Sequence, residues 1–319
     1  MEEAIEEKLP LINAHAHAAM VAFRGAGEDL PLDKWLKDVI WPLEAKMINP
    51  DFVYEQTKIA IDEMRKNGIE AFMDMYFFED SVARACEEKK MPVVLGEGLI
   101  DLKGEDVFNK DLERTIMLLE KYKSHPFIKS SVAPHSPYTV NESNLIKTKK
   151  IAREYNCPYQ IHVSETKKEF EESFDRYGLS PVEYLERIGV LDDKTVLVHC
   201  VYLTDKDISI IAKNNCKIVH CPVSNLKLGC GIAPINKLID AGVIVALGTD
   251  GSASCDNLDI KEAGRLSSLL QKGINCDPTL IPKKEIIKMM TINGMRALQI
   301  ESVVGKTIKE IEEEIEKAY

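Results

Sequence analysis

Eight short apolar runs, separated by stretches with helical spacing, constrain the fold of this 319-residue chain more than any other feature. In order they are LPLINAHAH, IEAFMDMYF, MPVVLGEGLI, IKSSVAPH, CPYQIHVSE, KTVLVHCVY, CKIVHCPV and GVIVALGTD. They are rich in Val and Ile and nearly continuous in apolar character, the habit of strands buried on both faces of a parallel sheet. Between them, VYEQTKIAIDEMRKNG, DLERTIMLLEKYK, ESNLIKTKKIAREYN and TDKDISIIAKNN repeat apolar residues at helical spacing. Gly68 stands where a helix C-cap belongs, and Asn156 and Asn215 can end helices the same way. Strand and helix alternating eight times predict an α/β fold, a (β/α)8 TIM barrel, with a doubly wound open sheet as the alternative. No Pro/Ser/Gly-rich linker divides the chain, so one domain over residues 1–319 is expected. Residues 306–319, within GKTIKEIEEEIEKAY, place Ile308, Ile311 and Ile315 on one face of an amphipathic helix. That helix is expected to cross the barrel bottom or to meet another subunit of a homo-oligomer.

The composition limits the partners. Hydrophobic residues at 45% and charged residues at 29% suit a soluble chain with a large core. A net charge of -11 argues against a nucleic-acid backbone or an anionic membrane surface and leaves a small-molecule ligand. The eight cysteines form no CxxC pair, so they read as reduced thiols of a cytoplasmic protein. MEEAIEEKLP has no apolar signal core, and no run approaches the roughly 20 apolar residues of a membrane span.

Each buried run ends in residues that a buried strand should avoid. His15 and His17 close the first, His135 the fourth, His162 the fifth, His199 the sixth and His220 the seventh, while Asp250 follows the eighth. Parallel barrel strands share one C-terminal face, so these groups converge. Period-two alternation sends His15 and His17 the same way, and two imidazoles so placed can chelate one ion. With His162 and Asp250 they form a ligand set for one divalent metal, suited to Zn²⁺, with Fe²⁺ as another candidate. Glu165, three residues past His162, is placed to overhang the ion as a proton shuttle. His199 suits an electrostatic or hydrogen-bonding role, and Asp250 can also accept a proton from water. His220 reads as structural, and His125, in a helix-to-strand connection, receives no function.

LINAHAHAAM, PHSPYTV, QIHVSET, VLVHC, HCPVSNLKLGCGIAPI and ALGTDGSASCDNLDI together resemble the amidohydrolase superfamily. The resemblance is to its methylthioadenosine/S-adenosylhomocysteine and 5'-deoxyadenosine deaminases, from about Leu11 to Leu298. ATZ/TRZ-type chlorohydrolases share much of the pattern, so a hydrolase of triazine, pyrimidine or guanine rings is the nearest alternative, and an inactive or engineered scaffold is another. The resemblance implies that His15, His17, His162 and Asp250 bind the metal, that Glu165 is the acid/base and that His199 assists at the reacting carbon. It also implies that Glu44 holds ribose hydroxyls and that His135 touches substrate. Two departures stand out. Glu97 replaces an expected arginine, and the later arginine is missing or displaced to Arg114. A carboxylate there would repel the tail of S-adenosylhomocysteine, so smaller adenosines are expected. The β-sandwich usual in the family is not evident at either end of the sequence, so a barrel without it is expected.

Overall fold

The structure, a computed structural model, describes residues 9–319. Its strands are β1 Leu11–Ala16, β2 Ile69–Asp74, β3 Val93–Leu95, β4 Ile128–Ser130, β5 Tyr159–Val163, β6 Thr195–His199, β7 Lys217–His220 and β8 Ile244–Leu247. Sequence neighbours are spatial neighbours, β1 to β4 in one ladder and β5 to β8 in the other, all parallel. Beyond β3 and β4, Gly98–Leu99 pairs with Ala133–Pro134 and prolongs both strands.

Two seams close the cylinder. Val132 bridges to Tyr159 at the edge of β5. On the opposite side, Asn13 Nδ2 donates to Thr249 Oγ1 at 2.7 Å and Thr249 N donates to Asn13 Oδ1 at 2.9 Å. Asp250 N then donates to His15 O at 3.1 Å. These bonds replace a regular β8–β1 ladder, and they tie Asp250 to the strand that carries His15. The open doubly wound sheet is thereby excluded, because neither ladder keeps a free edge at these seams.

Every residue of β1, β5 and β6 is buried, as strands walled by helices outside and packed side chains inside must be. The helices start and stop where the sequence signals. Asn49 caps Pro50–Lys66 by accepting from Phe52 N, and Gly68 follows that helix with φ +82°. Asn156 and Asn215 adopt φ of 52° and 53° after their helices. No helix among the described residues is long and apolar enough to cross a membrane. All eight cysteines are free thiols, and all but Cys276 are buried.

Two local features differ from the sequence reading. Residues 306–307 are not yet helix: Ser302–Val303 pairs antiparallel with Lys306–Thr307 around a turn at Val304 and Gly305, both at positive φ. The helix proper is Ile308–Ala318, opened by a capping box between Thr307 and Glu310. It packs on Lys283–Met290 and Ile292–Leu298 of its own chain, burying Ile311 and Ile315 completely. Ile311→Ala is expected to destabilise the protein by about 2–5 kcal/mol, the range for emptying a buried aliphatic site, read from urea unfolding midpoints.

The segment after β1 bends over the barrel mouth. Leu32–Lys34, Trp35–Ile40 and Trp41–Met47 form one continuous helical run whose middle widens to π-helical turns. Pro42, with no N–H to donate, follows that widening. Trp35, Ile40, Trp41 and Glu44 of this run face the mouth.

Candidate active site

The strand ends meet in a cleft at the C-terminal face of the barrel. His17, Glu44, His135, His162, Glu165, His199 and Asp250 line it, with His15 fully buried beneath. The fold thus brings together every site residue expected from the sequence. His125 lies elsewhere, accepting from Ile128 N at 2.9 Å in the connection before β4.

The three histidines of the expected ligand set are packed ring against ring. The His15 centroid is 4.8 Å from that of His17 and 4.9 Å from that of His162. One ring nitrogen from each falls within 4.8 Å of the others. His17 Nδ1 bonds to the Met75 carbonyl, and His162 Nδ1 donates to the His135 carbonyl at 2.7 Å. Each carbonyl accepts from Nδ1 and keeps a proton there, which leaves Nε2 of both rings as the atom turned inward. His162 Nε2 and His15 Nε2 then stand 3.1 Å apart. Three ring nitrogens and a carboxylate oxygen gathered at this spacing, with two of the rings held at Nδ1 by carbonyls, form a donor set that fits a divalent ion.

Asp250 completes the cluster. Its Oδ1 lies 3.0 Å from His17 Nε2 and 3.8 Å from His15 Nε2. Gly251 N donates to Oδ1 at 2.9 Å, and Ser224 Oγ donates to Oδ2 at 2.6 Å. Burial opposes the charged carboxylate, but the His17 hydrogen bond and charge prevail and hold Asp250 well below the ordinary range. In turn, burial lowers His17, while the Asp250 carboxylate outweighs it and raises His17 to about 9. The backbone is bent to present these groups: His199 and Asp250 have φ of 75° and 69°, in the left-handed region uncommon for residues with a Cβ.

Glu165 sits just above this cluster and is 5% exposed. Burial, reinforced by the Asp250 charge, pushes its carboxyl up to about 8, so it is largely protonated at neutral pH. The Glu169 carboxylate accepts from Ser164 N and Glu165 N, each at 2.8 Å, and pins the peptide that carries it. Cys230 Sγ is 3.8 Å from Glu165 Oε1. His199 Nε2 lies 3.6 Å from the same oxygen, while its Nδ1 bonds Asn225 Oδ1 at 2.8 Å. Burial keeps His199 below its usual value. His135 is lowered to about 3 by burial and the nearby histidines, and its Nδ1 is occupied by Thr139 Oγ1 at 3.0 Å.

Glu44 reaches the cleft from the helical run over the mouth and accepts from Tyr76 O–H at 2.8 Å. Tyr76, Ser224, Asn225, Cys230 and Glu169 were not singled out from the sequence. Ser224, Asn225 and Cys230 do lie within the HCPVSNLKLGCGIAPI stretch, and the other two carry no local signal.

The position of Glu97 overturns one expectation. Its carboxylate accepts from Phe78 N at 3.1 Å and Glu79 N at 2.9 Å, holding the start of the helix Glu79–Lys89, and it does not line the cleft. It therefore cannot repel a substrate tail directly. Arg114 lines a second cleft that continues past Trp41 and Glu44, with Lys103 and Asp111 beside it. The Arg114 guanidinium is already shared between Asp111 Oδ1 at 2.9 Å and Glu97 Oε1 at 3.5 Å.

Comparison with known proteins agrees with this geometry. The chain is 44% identical over 299 residues to a 5-methylthioadenosine/S-adenosylhomocysteine deaminase of Thermodesulfovibrio yellowstonii, covering 92% of this chain and 67% of that protein. It is 42% identical over 294 residues to a 5'-deoxyadenosine deaminase of Methanothermobacter thermautotrophicus, covering 92% and 69%. An adenosine deaminase from Xanthomonas campestris with bound zinc superposes with a TM-score of 0.90 at 34% identity, over 94% of this chain and 69% of that one. The family model described as the amidohydrolase family matches residues 10–308, and the chain belongs to that family.

Proposed function

We propose that this protein is a divalent-metal-dependent hydrolase that deaminates adenosine-type nucleosides to the inosine-type product and ammonia. One observation carries the reading. Three inward-facing imidazoles and the ionised Asp250 converge beside Glu165, a carboxyl held protonated by burial, in a cleft that also presents Glu44. The names of the relatives support the same chemistry.

In this reading His15, His17, His162 and Asp250 hold the ion. Three imidazoles and one carboxylate suit Zn²⁺, with Fe²⁺ the alternative. The ion, when bound, supplies Lewis acidity and activates water as a nucleophile at neutral pH. Water adds to the ring carbon that bears the amino group. Asp250, ionised and anchored by Ser224 and Gly251, takes a proton from the attacking water. Glu165 donates its proton to the adjacent ring nitrogen, drawing electron density from the attacked carbon. His199, oriented by its Nδ1–H bond to Asn225, turns Nε2 to the same point and assists there as an acceptor for the attacking water. Asp250 passes its proton to the amine, which leaves as ammonia, while the hydroxyl on the same carbon returns a proton to Glu165 as the carbonyl of the inosine-type product forms. Half-buried His135, neutral at any physiological pH, bonds the nucleoside without adding charge.

Glu44 is assigned to the ribose diol. Its charged oxygens can each accept one hydroxyl, and Tyr76 keeps the carboxylate in place. Hydrogen bonds to a charged acceptor are worth about 1.5–3 kcal/mol, so Glu44→Gln is expected to raise KM for adenosine roughly 10- to 150-fold. Against 2',3'-dideoxyadenosine the same variant should change KM little, and an equal loss on both substrates would remove Glu44 from this role.

The preference for small 5' groups rests on Arg114. Its Nη1 is paired with both Glu97 and Asp111, and these two carboxylates offset the charge that an amino-acid carboxylate would need. The zinc-loaded protein should therefore release ammonia from adenosine, 5'-deoxyadenosine and methylthioadenosine faster than from S-adenosylhomocysteine. No ammonia from any of the four would overturn the nucleoside reading. Its place, in this proposal, is the cytoplasm, where its thiols stay reduced.

A further inference from the structure

Glu169 departs from what the same sequence pattern does elsewhere in this chain. A Ser or Thr followed three residues later by Glu or Asp opens the helices Pro181–Arg187, Asp205–Lys213 and Ile308–Ala318, and also Lys167–Tyr177. In the first three the acidic side chain closes a capping box on the N-cap N–H. Glu183 accepts from Ser180 N at 3.1 Å, Asp207 from Thr204 N at 2.8 Å and Glu310 from Thr307 N at 2.8 Å. In the fourth, Thr166 Oγ1 accepts from Glu169 N at 3.1 Å in the ordinary way. The Glu169 carboxylate, however, reaches past Thr166 to the two residues before it. Oε1 accepts from Ser164 N and Oε2 from Glu165 N, each at 2.8 Å.

What it holds is the turn that carries Glu165. Ser164 has φ 52°, in the left-handed region uncommon for a residue with a Cβ. The carbonyl of Ser164 is held from the other side, accepting from Val201 N and Tyr202 N at 2.9 Å each, just past β6 and His199. The peptide between Ser164 and Glu165 is thus fixed at its oxygen by the chain after His199 and at its N–H by Glu169. Glu169 is buried. Burial pushes its carboxyl up to about 7, and the same two N–H groups oppose that rise. Stabilising the helix needs only the box at the N-cap. Reaching further serves the chain that leads to Glu165.

We infer that Glu169 is a positioning residue for Glu165, its carboxylate fixing the peptide that aims the Glu165 carboxyl over the histidine cluster. The inference rests on the reading of Glu165 as the proton donor. A misplacement of about 1 Å can cost about 10²-fold in rate, so a peptide clamped on both sides has a direct use here.

Glu169→Gln is the first test. The amide oxygen can accept from one N–H, but its NH₂ group faces the other and pushes the peptide away. In the zinc-loaded protein kcat for adenosine should fall about 10²-fold, with KM and zinc content unchanged. Turnover within a few-fold of wild type in the folded variant would overturn the inference. Thr166→Val is the control, because it removes the side-chain cap of the same helix and leaves Glu169 in place. It should lower the melting temperature and keep kcat within about twofold of wild type. An equal loss of kcat in both variants would show that any loosening of this helix suffices, and Glu169 would be merely structural.

A second readout needs no turnover. Amide hydrogen exchange at Ser164 and Glu165, followed by NMR, should be slow in the wild type. In Glu169→Gln it should be about 10- to 150-fold faster, the loss expected for a bond to a charged acceptor. Fast exchange at both amides in the wild type would overturn the inference without any variant. A wild type that releases no ammonia from any nucleoside would defeat the deaminase reading, and the two exchange rates would still decide whether Glu169 holds this peptide.

Discussion

Glu165→Gln is expected to lower kcat/KM for adenosine by about 10²–10⁴ while leaving the zinc content of the purified protein unchanged. The substitution keeps size and polarity but removes the transferable proton. Glu165 is not among the three histidines that bring their ring nitrogens together, so the ion should still bind. The peptide carrying Glu165 is held by Glu169 through backbone N–H groups, which a change at the side chain does not disturb. A steady-state assay of ammonia release, paired with metal analysis, separates the outcomes. Turnover within a few-fold of wild type would show that the proton reaches the ring by another route. Loss of zinc along with activity would assign Glu165 to the metal and not to the proton.

Removal of the ion should have a still larger effect. Chelation is expected to lower deamination by at least about 10³-fold, since Lewis-acid stabilisation is worth several kcal/mol, and added Zn²⁺ should restore it. The protein should survive the treatment folded. Without a cation, a proton on His17 paired with Asp250 at 3.0 Å supplies one positive charge to the cluster. At 100 times its dissociation constant the metal would add about 2.7 kcal/mol to stability, visible as a higher melting temperature. The metal-free form should also depend on pH in a definite direction. His17 is raised from its ordinary 6.5 to about 9, so the contribution of the pair is complete below about 6.5 and disappears as pH rises through about 9. A melting temperature of the metal-free protein that climbs over this interval would contradict the pairing. Activity that persists after exhaustive chelation would contradict the metal reading altogether.

Local chemistry made much of this molecule legible. The eight apolar runs became eight parallel strands because residues buried on both faces leave little choice of partner. The cap signals Gly68, Asn156 and Asn215 act through neighbouring backbone groups, so they could be placed from nearby residues. His15, His17, His162 and Asp250 were found together because a barrel gathers strand ends without any need to know how each side chain turns. The short hairpin at residues 302–307 was missed, since two paired residues on each side leave almost no periodic trace.

Glu97 shows where that logic stops. Its position in place of an expected arginine suggested a charge facing the substrate, yet its carboxylate turns back to two backbone N–H groups at the start of the helix Glu79–Lys89. The burial cost of a charge is lowered by the donors nearest in space, and those come from residues 78 and 79, a strand away in sequence. The Tyr76–Glu44 bond and the Asn225–His199 bond depend likewise on groups brought together only by closure of the barrel. The sequence by itself therefore determined the barrel, the face that carries chemistry and the set of polar residues gathered there, because periodicity and strand polarity are local properties. Tertiary structure alone decided which way each polar side chain turns, the protonation of Glu165 and the pairing of Arg114, because hydrogen bonds and desolvation are set by neighbours in space.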